Sequence, residues 1–185
     1  RKVYCLLEMP IENVFSDFNS YDLIDNTKNE TIIKKLTDMK FDAIIGNPPY
    51  QDKGGSGGTN DAPLYQYFCN VAMMIQSTYI SIVIPSRWFS SGRESLLGKF
   101  RNKMLTSGHV KTMNTYTDSK DVFPNVEIKG GICYFLIDMS YSGNCDYRLF
   151  RGNSNYSSRV HLNAFDILIR EPVIQKIVMK VEAKR

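Results

Sequence analysis

An apolar run that stops dead at two consecutive prolines leaves a chain few ways to fold. Phe41-Asp-Ala-Ile-Ile-Gly-Asn-Pro-Pro-Tyr50 gathers Phe41, Ala43, Ile44 and Ile45 into a short, β-branched stretch and ends it at Gly46, Pro48 and Pro49. The pattern predicts a buried parallel strand running into a rigid loop. In an open α/β sheet, ligands and chemistry collect at the carboxyl ends of such strands. Each proline fixes its own φ near about −65° and biases the preceding residue toward extended backbone. Asn47 and Pro48 are therefore both held out of the helical region.

Pro48 has no N–H, so the corner is rich in acceptors: the Asn47 side-chain carbonyl and the Pro48 backbone carbonyl can face one guest donor together. A planar amino group attached to a ring matches that pair. Holding both of its hydrogens pulls the nitrogen toward tetrahedral geometry and localises its lone pair for attack. Tyr50 adds a flat π-face for the ring. Stacking a base on an aromatic side chain contributes about 1–3 kcal/mol, the same order as the few kcal/mol needed to unstack that base from a duplex. The four residues suit an extruded nucleobase.

Asn47-Pro48-Pro49-Tyr50 after an apolar strand resembles the catalytic motif of the amino-methyltransferases, which methylate adenine N6, cytosine N4 or a glutamine amide. The text downstream sharpens the resemblance: Pro63-Leu-Tyr-Gln-Tyr-Phe68, Ile82-Val-Ile-Pro-Ser-Arg-Trp-Phe89, Phe100-Arg101 with Met104-Leu105, and Val122-Phe-Pro-Asn-Val-Glu-Ile-Lys-Gly-Gly-Ile132. Order and spacing are similar to those of adenine-N6 methylase domains of bacterial restriction-modification enzymes, closest to the branch with methylase and endonuclease in one polypeptide. The similarity covers most of Asn13 to Glu182.

The resemblance implies an α/β, Rossmann-like S-adenosylmethionine-dependent methyltransferase fold, with Phe41 to Ile137 supplying the later strands of the sheet. It implies S-adenosylmethionine as cofactor, double-stranded DNA as substrate, and a target-recognition domain and endonuclease elsewhere in the parent polypeptide. Asn47, Pro48, Pro49 and Tyr50 stand in the catalytic motif. The family's cofactor-binding aspartate, at the end of the third strand, matches Asp22 best, with Asp17 and Asp25 as rivals. By the same resemblance Arg87, Trp88 and Phe123 line the target pocket, although core packing competes for both aromatics.

Composition sets the outer limits. With 185 residues and 43% apolar content the chain is long enough for one globular domain with its own core. No apolar run approaches bilayer length, and the N-terminus shows no signal-peptide pattern, which predicts a cytoplasmic protein. Cys5, Cys69, Cys133 and Cys145 lack metal-ligand spacing, and only His109 and His161 could assist them, so they read as buried thiols with no metal site. The net charge of +4 is mild. Its distribution is uneven: Arg87, Arg93, Lys99, Arg101, Lys103 and Lys111 oppose only Glu94, a cluster suited to DNA phosphates or to a solvated helix face.

The remaining segments fill in around the motif. Asn13 to Ile24 can hold a strand ending in an acidic turn, followed by a helix from about Thr31 to Met39. Before Phe41 there is no glycine-rich loop of the kind that holds a cofactor's methionine end, which predicts a fragment lacking the first strands. Gly54-Gly-Ser-Gly-Gly58 reads as a linker or lid. Helical spacing of Leu64, Phe68, Val71, Ala72 and Ile75 precedes an apolar strand from Tyr79 to Ile84, and Leu96, Leu97, Phe100 and Met104 mark a further helix. His109 to Tyr116, Gly131 to Ile137 and Asp146 to Arg151 read as strands. Ser154 to Ser158 reads as a polar loop, Val160 to Ile169 as extended chain, and Val173 to Val181 as a helix. Residues 1–152 are thus expected to form a partial catalytic domain and 153–185 a connector toward the target-recognition domain.

Overall fold

The computed structural model describes residues 18–25, 27–51 and 62–182. Strands β1 (Ala43–Gly46), β2 (Tyr79–Pro85), β3 (Val110–Tyr116), β4 (Ile132–Asp138), β5 (Cys145–Arg151) and β6 (Ser154–Val160) form one mixed sheet in the order β1-β2-β4-β3-β5-β6. Helices α1 (Asn29–Asp38), α2 (Tyr65–Met74), α3 (Leu96–Thr106) and α4 (Pro172–Glu182) complete the regular elements. β1 pairs with β2 in parallel, and β4 inserts antiparallel between β2 and β3. β3 then pairs in parallel with β5. One edge of the sheet consequently carries the ends of β1, β2, β3 and β5 together with the start of β4.

Alternation along the strands builds the core on one face. Ile80, Ile82 and Ile84 of β2 stand opposite Ile137, Phe135 and Cys133 of β4, whose neighbours on β3 and β5 are Met113, Thr115, Tyr147 and Leu149. All are buried. Tyr65, Cys69 and Ala72 of α2 and Leu97, Phe100, Met104 and Leu105 of α3 close over them. A second cluster joins Ile33 and Leu36 of α1 to Val71 and Ile75 of α2, with Phe18, Leu23, Phe41 and Ile44 packed against it. α3 starts at Ser95, whose hydroxyl accepts the Gly98 N–H at 3.0 Å, an N-cap that satisfies one otherwise orphaned donor. The other sheet face bears Ile45, Tyr79 and Tyr134, all exposed, and a stack of Phe150 on Tyr116 with ring centroids 4.5 Å apart.

Three expectations change. β1 is parallel to β2 but is the outer strand of the sheet among the described residues rather than a buried one, and Ile45 is 83% exposed. Among the described residues no strand pairs with its other side. Ser154 to Ser158 is not a loop: it lies in β6, which pairs antiparallel with β5 from Arg151↔Ser154 to Cys145↔Val160. Its polar sequence hid the strand because most of β6 is solvent-exposed, so no apolar alternation was required. Beyond Val160 the chain makes a 3-10 turn at Leu162–Ala164 rather than a continuous extended run. Cys5, Asn13 to Asp17 and Gly54 to Gly58 lie outside the described residues. No helix among the described residues is long and apolar enough to cross a membrane.

The cysteine reading has a direct test. Cys69, Cys133 and Cys145 are free and buried, and burial pushes the thiols of Cys133 and Cys145 up to about 12 and that of Cys69 upward too. Only a thiolate attacks a disulfide reagent. At pH 8, Ellman's reagent should leave these three unreacted in the native protein and titrate them after denaturation. Fast native labelling of Cys133 or Cys145 would contradict this packing.

Candidate active site

The proline corner sits where a parallel strand hands the chain to a loop. β1 ends at Gly46, Asn47 is exposed, and Pro48, Pro49 and Tyr50 are partly buried. Tyr50 O accepts the Leu64 N–H at 3.1 Å, and Gln51 bridges to Pro63, so the chain on both sides of 52–61 is drawn together at the head of α2. The corner is therefore anchored at its strand and at its far end.

Tyr50 packs against the main core, and its hydroxyl is buried without a hydrogen-bond partner among the described residues. Burial pushes its phenol up to about 12, so the side chain is neutral at any physiological pH. Near its tip lies Cys133, the first inward-facing residue of β4. The Trp88 indole and Ser86 hydroxyl face the Cys133 sulfur. Tyr65, also buried, presses edge-on against Phe100 at 6.5 Å. The hydroxyl end of Tyr50 is thus the part sunk in the core.

Of the residues expected to touch the target, Trp88 lies in the core. It is 0% exposed, with its ring edge-on to Phe89 at 4.6 Å and to Phe100 at 5.3 Å. It belongs to the short 3-10 helix Ser86–Ser90 that follows β2. Arg87 in the same turn is exposed. Phe123 is partly buried in the loop between β3 and β4, where its N–H donates to Ser119 O at 2.8 Å. Ser119 also holds that loop from inside: its hydroxyl donates to Val126 O at 2.7 Å and accepts the Ile128 N–H at 2.9 Å. Gly131 closes the loop at φ +73°, where a Cβ would collide with Tyr116 O, so only glycine fits. The Ser86 N–H donates to Gly131 O at 3.0 Å, tying the loop to the 3-10 helix. Asn47, Arg87 and Phe123 all stand on the carboxyl edge.

Asp22 closes a small capping box. Asn19 accepts the N–H groups of Tyr21 and Asp22, while Asp22 Oδ2 accepts the Asn19 N–H at 2.9 Å. Lys28 Nζ reaches Asp22 Oδ1 at 3.1 Å. The backbone bond from Asn19, then the Lys28 ammonium, lower the carboxyl's pKa. Asp25 is held below its ordinary value by the Thr27 hydroxyl and N–H. Asp17 lies outside the described residues. Tyr21 stands edge-on to Phe68 of α2 at 6.4 Å, which docks the Asp22 turn beside the first half of α2. A carboxylate has about four lone-pair positions. Two internal donors leave Asp22 able to accept an adenine amino group as well, so it fits the cofactor role. A glycine-rich loop for the methionine end is not found among the described residues before β1.

The basic cluster read from the sequence divides on folding. Arg101 is 2% exposed, and its guanidinium donates to Asp166 O at 2.7 Å and to Ser91 O. Arg93 pairs with the Asp166 carboxylate, Lys103 donates to Asn70 Oδ1 at 3.1 Å, and Lys111 pairs with Asp138 at 3.0 Å. Arg101 is thus a clasp between α3 and the segment before α4, and Lys111 serves the opposite edge of the sheet. Sequence spacing missed Arg170, which this clasp carries back over Phe89, its guanidinium carbon 5.2 Å from the ring centroid.

The sequence profile of the family described as Eco57I restriction-modification methylase matches residues 7–123. An adenine-specific methylase of Mycoplasma pneumoniae, itself described as uncharacterized, is 43% identical over 107 residues, which are 57% of this chain and 25% of the relative. The methyltransferase subunit of a type I restriction-modification system from Streptococcus thermophilus superposes with a TM-score of 0.55 at 16% identity, over 98% of this chain and 38% of that one. The type IIG restriction endonuclease BpuSI gives a TM-score of 0.47 at 14% identity, over 65% of this chain and 16% of that one. The chain therefore spans about a quarter of the curated relative's length, and its mixed α/β sheet matches part of the fold of the methyltransferase subunit.

Proposed function

The chain belongs to the Eco57I restriction-modification methylase family, and from that premise we propose that it is the part of the enzyme that holds an adenine, flipped from duplex DNA, for methylation at N6. One observation carries the reading: Asn47 is exposed on a proline-stiffened corner at the carboxyl edge, beside a tyrosine whose hydroxyl end is sunk in the core. Catalysis of this kind is chiefly positioning and preorganised electrostatics.

In this proposal Asn47 Oδ1 and Pro48 O accept the two N6 hydrogens, which localises the nitrogen lone pair. Tyr50 stacks on the base. S-adenosylmethionine supplies an electrophilic methyl group on its sulfonium when bound. Asp22 is the residue that would hold its adenine. Transfer makes the amino nitrogen cationic and acidic, so its proton leaves without a general base. Residues 1–152 act as the catalytic portion, and 153–185 lead toward a target-recognition domain elsewhere in the polypeptide.

A 2-aminopurine at the target position reports extrusion by its fluorescence. In the parent enzyme Tyr50→Ala should lose most of the fluorescence rise and lower turnover, since about 1–3 kcal/mol of stacking goes with the ring. Tyr50→Phe should keep the signal, because the hydroxyl it removes makes no hydrogen bond among the described residues. An unchanged signal in Tyr50→Ala would reduce Tyr50 to a packing residue.

A second reading, a catalytically silent DNA-binding or scaffold piece, draws on the lack of a glycine-rich loop among the described residues before β1. Calorimetry of the parent enzyme with S-adenosylmethionine separates the two: heat of binding that is lost in Asp22→Ala supports the enzyme, and no heat supports the scaffold.

A further inference from the structure

Arg87 and Arg170 are 83 positions apart in the chain and meet around one glycine. A Cβ built on Gly130 would stand 3.8 Å from Arg87 Cγ and 3.7 Å from Arg170 Nη2. Gly130 itself has φ +88°, a backbone conformation that favours glycine. Arg170 Nη2 donates to Ser86 O at 3.3 Å and its guanidinium lies over the Phe89 ring, which fixes its direction. The Leu168 N–H donates to Phe89 O at 3.0 Å, and the Arg101 clasp holds the preceding residues.

Neither guanidinium has an ion pair among the described residues. The carboxylates nearest Arg170 in sequence are engaged elsewhere: Glu171 pairs with Arg151 and Asp166 with Arg93. Arg87 Cγ and Arg170 Nη2 flank one point beside Gly130, so the two side chains can direct their positive charges at one anion, which would offset their mutual repulsion. A planar guanidinium offers paired donors that match phosphate oxygens. β4 lies two strands from β1, so at about 4.8 Å per strand the pair is about 10 Å from the Asn47 corner, within reach of a nucleotide flanking a base held there.

We propose that Arg87 and Arg170 clamp one backbone phosphodiester of the DNA strand that carries the target base. The proposal rests on the nucleobase reading of Asn47 and Tyr50, and it adds a positioning contact that carries no sequence information.

The test is fluorescence anisotropy of the parent enzyme with a labelled duplex across a salt series. Each neutralised phosphate contributes about 0.9 to the slope of log affinity against log salt. Arg87→Gln combined with Arg170→Gln should flatten the slope by about that amount, Arg87→Lys with Arg170→Lys should preserve it, and Lys111→Gln should leave it unchanged. The Arg87 side chain is exposed and makes no hydrogen bond or ion pair among the described residues, so Arg87→Gln alone must also flatten the slope even if loss of Arg170 impairs folding. An unchanged slope in Arg87→Gln, or a native enzyme whose affinity ignores salt, would overturn the clamp. If the base reading fails instead, the slope still falls in these variants while the 2-aminopurine signal is absent in the native enzyme.

Discussion

Replacing Asn47 with alanine in the parent enzyme should reduce single-turnover methyl transfer by at least about 10²–10³-fold, the range for losing one preorganised polar group at a reacting centre. The loss falls on the chemical step, because the side-chain oxygen acts only on the amino group whose lone pair must be localised. DNA affinity should change by no more than about 1 kcal/mol, one hydrogen bond's net worth. Asn47 is exposed at the end of β1 and contributes nothing to the core, so thermal stability should also hold. Rapid-quench methylation read beside anisotropy separates the two quantities. An Asn47→Ala enzyme that methylates at the native rate would remove the corner from the mechanism, whatever else it does.

The second large effect is on stability. Trp88→Ala empties the largest fully buried side chain, at the meeting point of Phe89, Phe100 and Cys133. Truncating a buried aromatic of this size costs about 3–5 kcal/mol. At roughly 2–4 °C per kcal/mol for a domain of this length, the midpoint should drop by about 6–20 °C. Trp88→Phe should lose less, since it keeps an aromatic in the same packing. Urea denaturation and thermal melting, each followed by circular dichroism, measure the free energy and the midpoint of both variants. A Trp88→Ala protein with native stability and impaired target binding would return Trp88 to the pocket wall, the role implied by sequence similarity.

How far the sequence could be read depended on whether the deciding force was local. The strand-to-proline transition at Gly46 to Pro49, the helical faces of α2 and α3, and the long β4 strand are written in residue patterns a few positions apart, and they stand where those patterns put them. β6 was not legible, because a strand that is mostly in solvent needs no apolar alternation and Ser154 to Ser158 looks the same as a loop. Burial of β1 was misjudged for a related reason: an apolar run says that a strand can be covered, and only its neighbours decide whether it is.

The site divides along the same line. Asn47, Pro48 and Tyr50 are consecutive, so the corner could be found without coordinates. The basic run from Arg87 to Lys111 looked like one cluster, yet α3 turns Arg101 inward and β3 carries Lys111 to the other edge. Arg170 joins Arg87 only because Arg101 and Leu168 fasten the segment before α4 to the 3-10 helix after β2. No spacing rule links positions 87, 130 and 170. Asp22 shows the limit of residue-by-residue matching, since its carboxylate already completes a capping box and the cofactor role needs its remaining lone pairs.

The most direct measurement is the identity of the methylated nucleoside. The parent enzyme, supplied with S-adenosylmethionine labelled in the methyl group and a duplex containing its target sequence, should yield labelled N6-methyladenine on digestion and mass analysis, and the Asn47→Ala enzyme at least about 10²-fold less in the same time. Label recovered as N4-methylcytosine, on RNA or on a protein glutamine would contradict the assignment of adenine to the Asn47–Tyr50 corner.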